Sequence, residues 1–93
     1  GELLEHIQNL AETMTLATQN EQYAEMHHLE IALTKALITL EPKAPAKLKP
    51  SIETLKIIAA KIHGAGHDQN KSMAATLDTT LKERIAQLLQ AFE

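Results

Sequence analysis

Residues 21–40, EQYAEMHHLEIALTKALITL, constrain this chain more than any other stretch. Met26, Leu29, Leu33, Leu37 and Leu40 recur every three or four positions, the spacing that lines one face of an α-helix. Ala24, Ile31 and Ile38 recur every seven positions, and at about 100° per residue their stripe falls opposite the first. A helix that is apolar on two sides is either central in its bundle or lends one side to a partner.

The surrounding sequence offers mainly other helices. Residues 2–19 carry Leu3, Ile7, Leu10, Met14 and Ala17 at a 4-3-4-3 spacing, with Glu2 and Glu5 in the first turn, where carboxylates favour the helix dipole. Continued at 100° per residue, this stripe misses that of residues 26–40 by roughly a third of a turn. A turn or sharp bend is therefore expected at residues 18–21, with Asn20 as the N-cap of the second helix. Pro42, Pro45 and Pro50 end that helix, because proline lacks an amide hydrogen and clashes with the preceding turn. EPKAPAKLKPS reads as a short extended connector, with Pro50 in the first turn of the next helix. Beyond it Ile52, Leu55, Ile58, Ala59 and Ile62 line one face, and Met73, Leu77, Leu81, Ile85, Leu88 and Phe92 line another run.

HGAGHDQNKS separates those two runs. Two glycines weaken a helix by roughly 1 kcal/mol each, and Asp68 and Asn70 are turn or cap types. Ile62 and Met73 are nonetheless eleven residues apart, close to three whole turns, so the stripe stays in phase. The spacing predicts one long third helix over about 50–92, kinked near Gly64–Gly66 and about 60 Å long. A break there, giving four helices, is the alternative.

Composition agrees with helix throughout. Val and Trp are absent and there is one Tyr and one Phe, a poor alphabet for a sheet. Without cysteine there are no disulfides and no Cys-ligated zinc. No apolar run reaches the roughly 18–20 residues of a membrane span. The net charge of −3 disfavours nucleic acid. Residues 1–34 hold six acids (Glu2, Glu5, Glu12, Glu21, Glu25, Glu30) and no Lys or Arg, while residues 35–62 hold six lysines (Lys35, Lys43, Lys47, Lys49, Lys56, Lys61) against Glu41 and Glu53. An acidic first third beside a basic middle third predicts antiparallel packing with complementary faces, although each exposed pair stabilises by under about 1 kcal/mol.

Catalytic signatures are lacking: there is no nucleophile motif and no phosphate-binding loop after a strand, so an enzyme is not expected and no cofactor is implied. His63 and His67, spaced i, i+4, share a helix face as metal-binding histidines do. Asp68 lies off that face, so solvated histidines and no metal site are expected. His27-His28 on a helix raises a histidine phosphotransfer bundle as a further reading, but the Lys and Gly that admit a partner's active site are missing from HHLEIA.

The chain resembles the FliT family of flagellar export chaperones through almost its whole length. LAETMTLATQNEQYAEMHHLEIALTKALITL (residues 10–40) resembles that family's first two helices, with Tyr23 where the family usually carries Trp and Leu29-Glu30 at its Leu-Glu position. A Pro-containing connector and a long final helix follow, as in IETLKIIAAKI and LDTTLKERIAQLLQAF. Asn20-Glu21-Gln22-Tyr23 replaces the family's usual Gly-Asp-Trp-like turn. The resemblance implies a cytoplasmic protein that binds the C-terminal helix-prone segment of the filament-cap protein, docks on the export ATPase complex and, in some members, restrains the flagellar master transcription regulator. Members often continue into a C-terminal helix that covers the binding surface, and the expectation for this chain is that this element is missing, truncated or absent in this branch.

Together these readings predict an all-α antiparallel bundle, residues 1–93 forming one domain of three helices with a long third. Its client groove is expected to comprise Ala24, Ile31 and Ile38 with Met73, Leu77 and Leu81. Partners are then proteins, with neither nucleic acid nor membrane. A self-associating module that uses the second stripe to make a homodimer is the alternative.

Overall fold

A computed structural model describes residues 1–92. Four helices follow one another: α1 (Glu2–Gln19), α2 (Tyr23–Leu40), α3 (Lys49–His67) and α4 (Lys71–Ala91). No strand occurs among the described residues. Each helix packs against the next and α4 closes back onto α1, so α1 and α3 occupy one diagonal of a square and α2 and α4 the other.

The long third helix expected over 50–92 is two helices. A rod of about 60 Å does not fit a body whose longest dimension is 36 Å. The glycines do not make the break, since Gly64 and Gly66 both lie inside α3. It comes three residues later, at Gln69, whose φ of 55° is left-handed. The Asn70 amide donates to Ala65 O (2.8 Å) and the Gln69 amide to Gly66 O (3.0 Å), the paired bonds of a Schellman motif. Asn70 then caps α4 by accepting from the Met73 amide at 3.1 Å.

The same motif ends α1. Glu21 has φ 55°, the Gln22 amide donates to Ala17 O (2.9 Å) and the Glu21 amide to Thr18 O (3.3 Å). The turn expected at 18–21 thus lies at Asn20–Gln22. Asn20 is the C-cap of α1 rather than the N-cap of α2, a position that Gln22 holds. Three-residue turns between packed helices reverse the chain. The two turns meet at one end of the bundle, where Lys71 Nζ lies 3.6 Å from Glu21 Oε2. At the other end the proline-containing segment is not simply extended. It folds into 3₁₀ turns at Glu41–Lys43 and Ala46–Leu48, joined by extended Ala44 and Pro45, and Pro50 stands in the first turn of α3.

Each helix supplies one stripe to a common core. Ile7, Met14 and Ala17, all five of Met26, Leu29, Leu33, Leu37 and Leu40, and all five of Ile52, Leu55, Ile58, Ala59 and Ile62 are buried. On α4 the buried stripe is Ala74, Asp78, Leu81, Ile85 and Leu88. Met73 is 53% exposed and Leu77 half-buried. The apparent phase match between Ile62 and Met73 therefore has no counterpart in the packing.

Charge complementarity does little to align the helices. Lys56 Nζ sits 2.6 Å from Glu53 Oε1 and 3.6 Å from Glu41 Oε2, so its partners come from the basic third itself. Glu21, from the acidic third, pairs with Lys71 beyond the middle third.

The two glycines of α3 differ in surroundings. A Cβ on Gly64 meets nothing within 4 Å, whereas one on Gly66 meets Met26 Cε at 3.3 Å and Tyr23 Cδ1 at 3.6 Å. Gly66 thus marks the close approach of α3 to the start of α2. Gly64→Ala is expected to stabilise the bundle by about 0.5–1 kcal/mol through lower unfolded-chain entropy. Gly66→Ala should gain less, because Met26 must shift. Urea titrations of both variants check this, and an equal gain at the two sites counts against the close approach.

Candidate functional site

The outer side of α2 carries the second apolar stripe into solvent. Ile31 is 39% exposed and Ile38 52%, and Ala24 is exposed one heptad before Ile31. The remaining residues expected in the groove do not join them. Leu81 is 0% exposed in the core, while Met73 and Leu77 line a separate depression between α3 and α4 with Lys61, Gly64 and Ala65. The reason is topological. Breaking the third helix puts α4 diagonally across from α2, where the two cannot form one groove. Leu16 and Ile57 are also exposed, on α1 and α3.

Beside the stripe, the contact between α2 and α3 is polar. His27 turns toward α3, and its Nδ1 lies 2.8 Å from His63 Nε2. One ring donates its N–H to the bare nitrogen of the other, so the pair shares a single proton when both are neutral. The ring centroids are 4.2 Å apart. Glu30 stands one turn after His27 on the same face, and ligand atoms of His27, Glu30 and His63 all fall within 4.8 Å of one another. All three residues are half-buried. His27 and His63 also line a shallow depression with Tyr23, Ala24, Gly66, His67 and Gln69.

His63 is therefore not the solvated residue expected of it beside His67. His63 meets its partner on the neighbouring helix α2 rather than along its own helix at His67. The pairing spans 36 positions, and no local spacing signals it. Gly66, one turn after His63, allows the close approach that brings the rings together.

A second polar feature lies between α1 and α4. Asp78 is 5% exposed on the core stripe of α4, and its Oδ2 accepts from Thr15 Oγ1 at 2.8 Å. Its other oxygen, Oδ1, is buried without a partner. Burial pushes the carboxyl above the ordinary Asp value, opposed by the Thr15 hydrogen bond and the charge of Lys82. Stepping back from Leu88, Ile85 and Leu81 at the same 3–4 spacing reaches Asp78 and then Ala74. The signal was present, but the larger apolar residues Met73 and Leu77 masked it.

Compared with protein-family models, curated proteins and solved structures, the chain matches none. Among the described residues no helix is long and apolar enough to cross a membrane. The functional reading therefore rests on the chain's own surface.

The environment of Asp78 has a pH signature. A folded-state pKa above the unfolded one means that the folded chain holds the proton more tightly. Stability from this group is then full below the unfolded value and is lost as pH rises through the folded value. Asp78→Asn should accordingly stabilise the bundle by about 1 kcal/mol at pH 7, and by progressively less toward the ordinary Asp value of about 3.9. Urea unfolding at pH 7 and pH 4 measures the difference, and an equal effect at both would contradict a raised carboxyl.

Proposed function

We propose that this chain is a cytoplasmic binding module that holds an amphipathic helix of a partner protein along the outer side of α2. The observation that carries the reading is the exposure of Ala24, Ile31 and Ile38 in one line, on a helix whose opposite side already fills the core. Helix-on-helix capture through residues spaced by heptads is the fitting mode, since a partner's own i, i+3, i+4 and i+7 residues can follow such a line. The stripe is narrow, and flanking contacts from the partner would have to add to it.

The FliT-like pattern of residues 10–40 supports a client of the flagellar filament-cap class. In that case the bundle covers the client's helix before export, prevents premature assembly and delivers it to the export ATPase complex. Met73 and Leu77 then lie outside the primary contact. The second reading, a homodimer through the same stripe, draws on the same exposed isoleucines.

Burying what remains exposed of Ile31 and Ile38 is worth about 1 kcal/mol each, and burying an aspartate in their place costs several more. Ile31→Asp with Ile38→Asp should keep the helical circular dichroism and weaken binding of a filament-cap C-terminal peptide by at least about 100-fold. Sedimentation of the unmutated chain separates the two readings: a stable dimer that the double variant dissolves favours self-association and removes the client site. Peptide binding that survives the double variant rules out this surface.

A further inference from the structure

We propose that His27, Glu30 and His63 form a binding site for a single divalent zinc-class ion, which clamps α2 to α3. The donor set is two imidazole nitrogens and one carboxylate, a combination that suits zinc and its late first-row neighbours and does not suit calcium or magnesium, which prefer oxygen ligands alone. His27 and Glu30, spaced i, i+3, project from one face of α2, and α3 brings His63 against them. The ligand atoms already lie within 4.8 Å of one another. The site is half-buried, so the ligands are held while an ion can still enter.

The present contact is close to what the ion requires. Two nitrogens on a tetrahedral zinc at bonds of about 2.0–2.1 Å are about 3.3 Å apart. The His27 Nδ1 to His63 Nε2 separation is 2.8 Å. A rotation of either half-buried ring that opens the pair by about 0.5 Å makes room for the metal. The proton between the two rings must leave the facing nitrogens. In the bound state His27 carries its proton on Nε2 and His63 on Nδ1, so two neutral rings need one tautomer change through solvent and release no net proton. Both facing lone pairs then point at the ion, and Glu30 supplies the third ligand. His27 and His63 also line the shallow depression beside the site, from which water can supply the remaining ligand.

The close approach at Gly66 gives the site its geometry. Gly66 stands three residues beyond His63 on α3 and packs on Met26 and Tyr23 of α2. The distance between the helices is therefore set by the fold before any ion arrives. An ion bound there links two helices and stabilises the folded chain by mass action.

The test uses the full chain, stripped with a chelator and titrated with zinc chloride by calorimetry and by thermal unfolding. One ion per chain is expected, with a rise in Tm that grows with zinc concentration. His27→Gln and His63→Gln should each weaken binding at least as much as the roughly 10–100-fold that loss of a supporting contact costs, and Glu30→Gln should weaken it as well. His6→Gln and His28→Gln should leave it nearly unchanged. Ring ¹⁵N resonances of the unmutated chain give a readout independent of whether any variant folds: His27 Nδ1 and His63 Nε2 should move on adding zinc. No saturable binding overturns the proposal. So does binding that persists in the His27→Gln/His63→Gln pair, or ring shifts confined to His6, His28 and His67, since surface histidines then hold the ion.

Discussion

A helix at the corner of a square bundle has two neighbours and one open side. This constraint governs the rest of the molecule. Met26, Leu29, Leu33, Leu37 and Leu40 of α2 all turn inward and are buried, so whatever stands opposite them must face solvent. Ala24, Ile31 and Ile38 stand opposite. In a bundle of 93 residues the core is thin, and about 5–10 kcal/mol of net stability is all that such a size supports. Three further apolar residues on the outside add nothing to that core.

The same square arrangement decides what kind of contact joins α2 to α3. Toward the bundle axis the two helices meet through leucine and isoleucine. Nearer the surface they meet through His27 and His63, close to the point where Gly66 lets the backbones come together. A half-buried imidazole pair satisfies two ring nitrogens with one shared proton and leaves Glu30 alongside. On the opposite side of the bundle Asp78 does the reverse. It takes a core position on α4 with one oxygen bonded to Thr15 and the other unpaired, a local conflict with the apolar stripe around it. A buried polar group of this kind weakens a small core.

The end of the bundle that carries both three-residue turns is held by repetition. α1 and α3 finish in the same Schellman geometry with a non-glycine residue, Glu21 or Gln69, in the left-handed region. Neither turn contains glycine or proline, and only the turn or cap types Asn20, Asp68 and Asn70 mark them in the sequence. Gly64 and Gly66 lie before the second turn, inside α3, and Gly66 serves helix packing rather than chain reversal. The exposed Glu21–Lys71 pair spans the two turns across the bundle end.

Local spacing was enough to determine that the chain is helical, where α1 and α2 lie, and which residues of α2 and α3 turn inward, because burial of one face imposes a 3.6-residue period that any single helix displays. The proline segment likewise ended α2 for a reason internal to the backbone. Tertiary structure alone decided that residues 50–92 fold back at Gln69, since eleven residues keep phase on a straight helix and also permit a turn, and only packing in a body 36 Å long separates the two. It also decided that Leu81 is core, that Met73 is not, and that His63 meets His27 rather than His67. Those facts depend on which helices become neighbours, and a period read along one helix carries no information about the helix across from it.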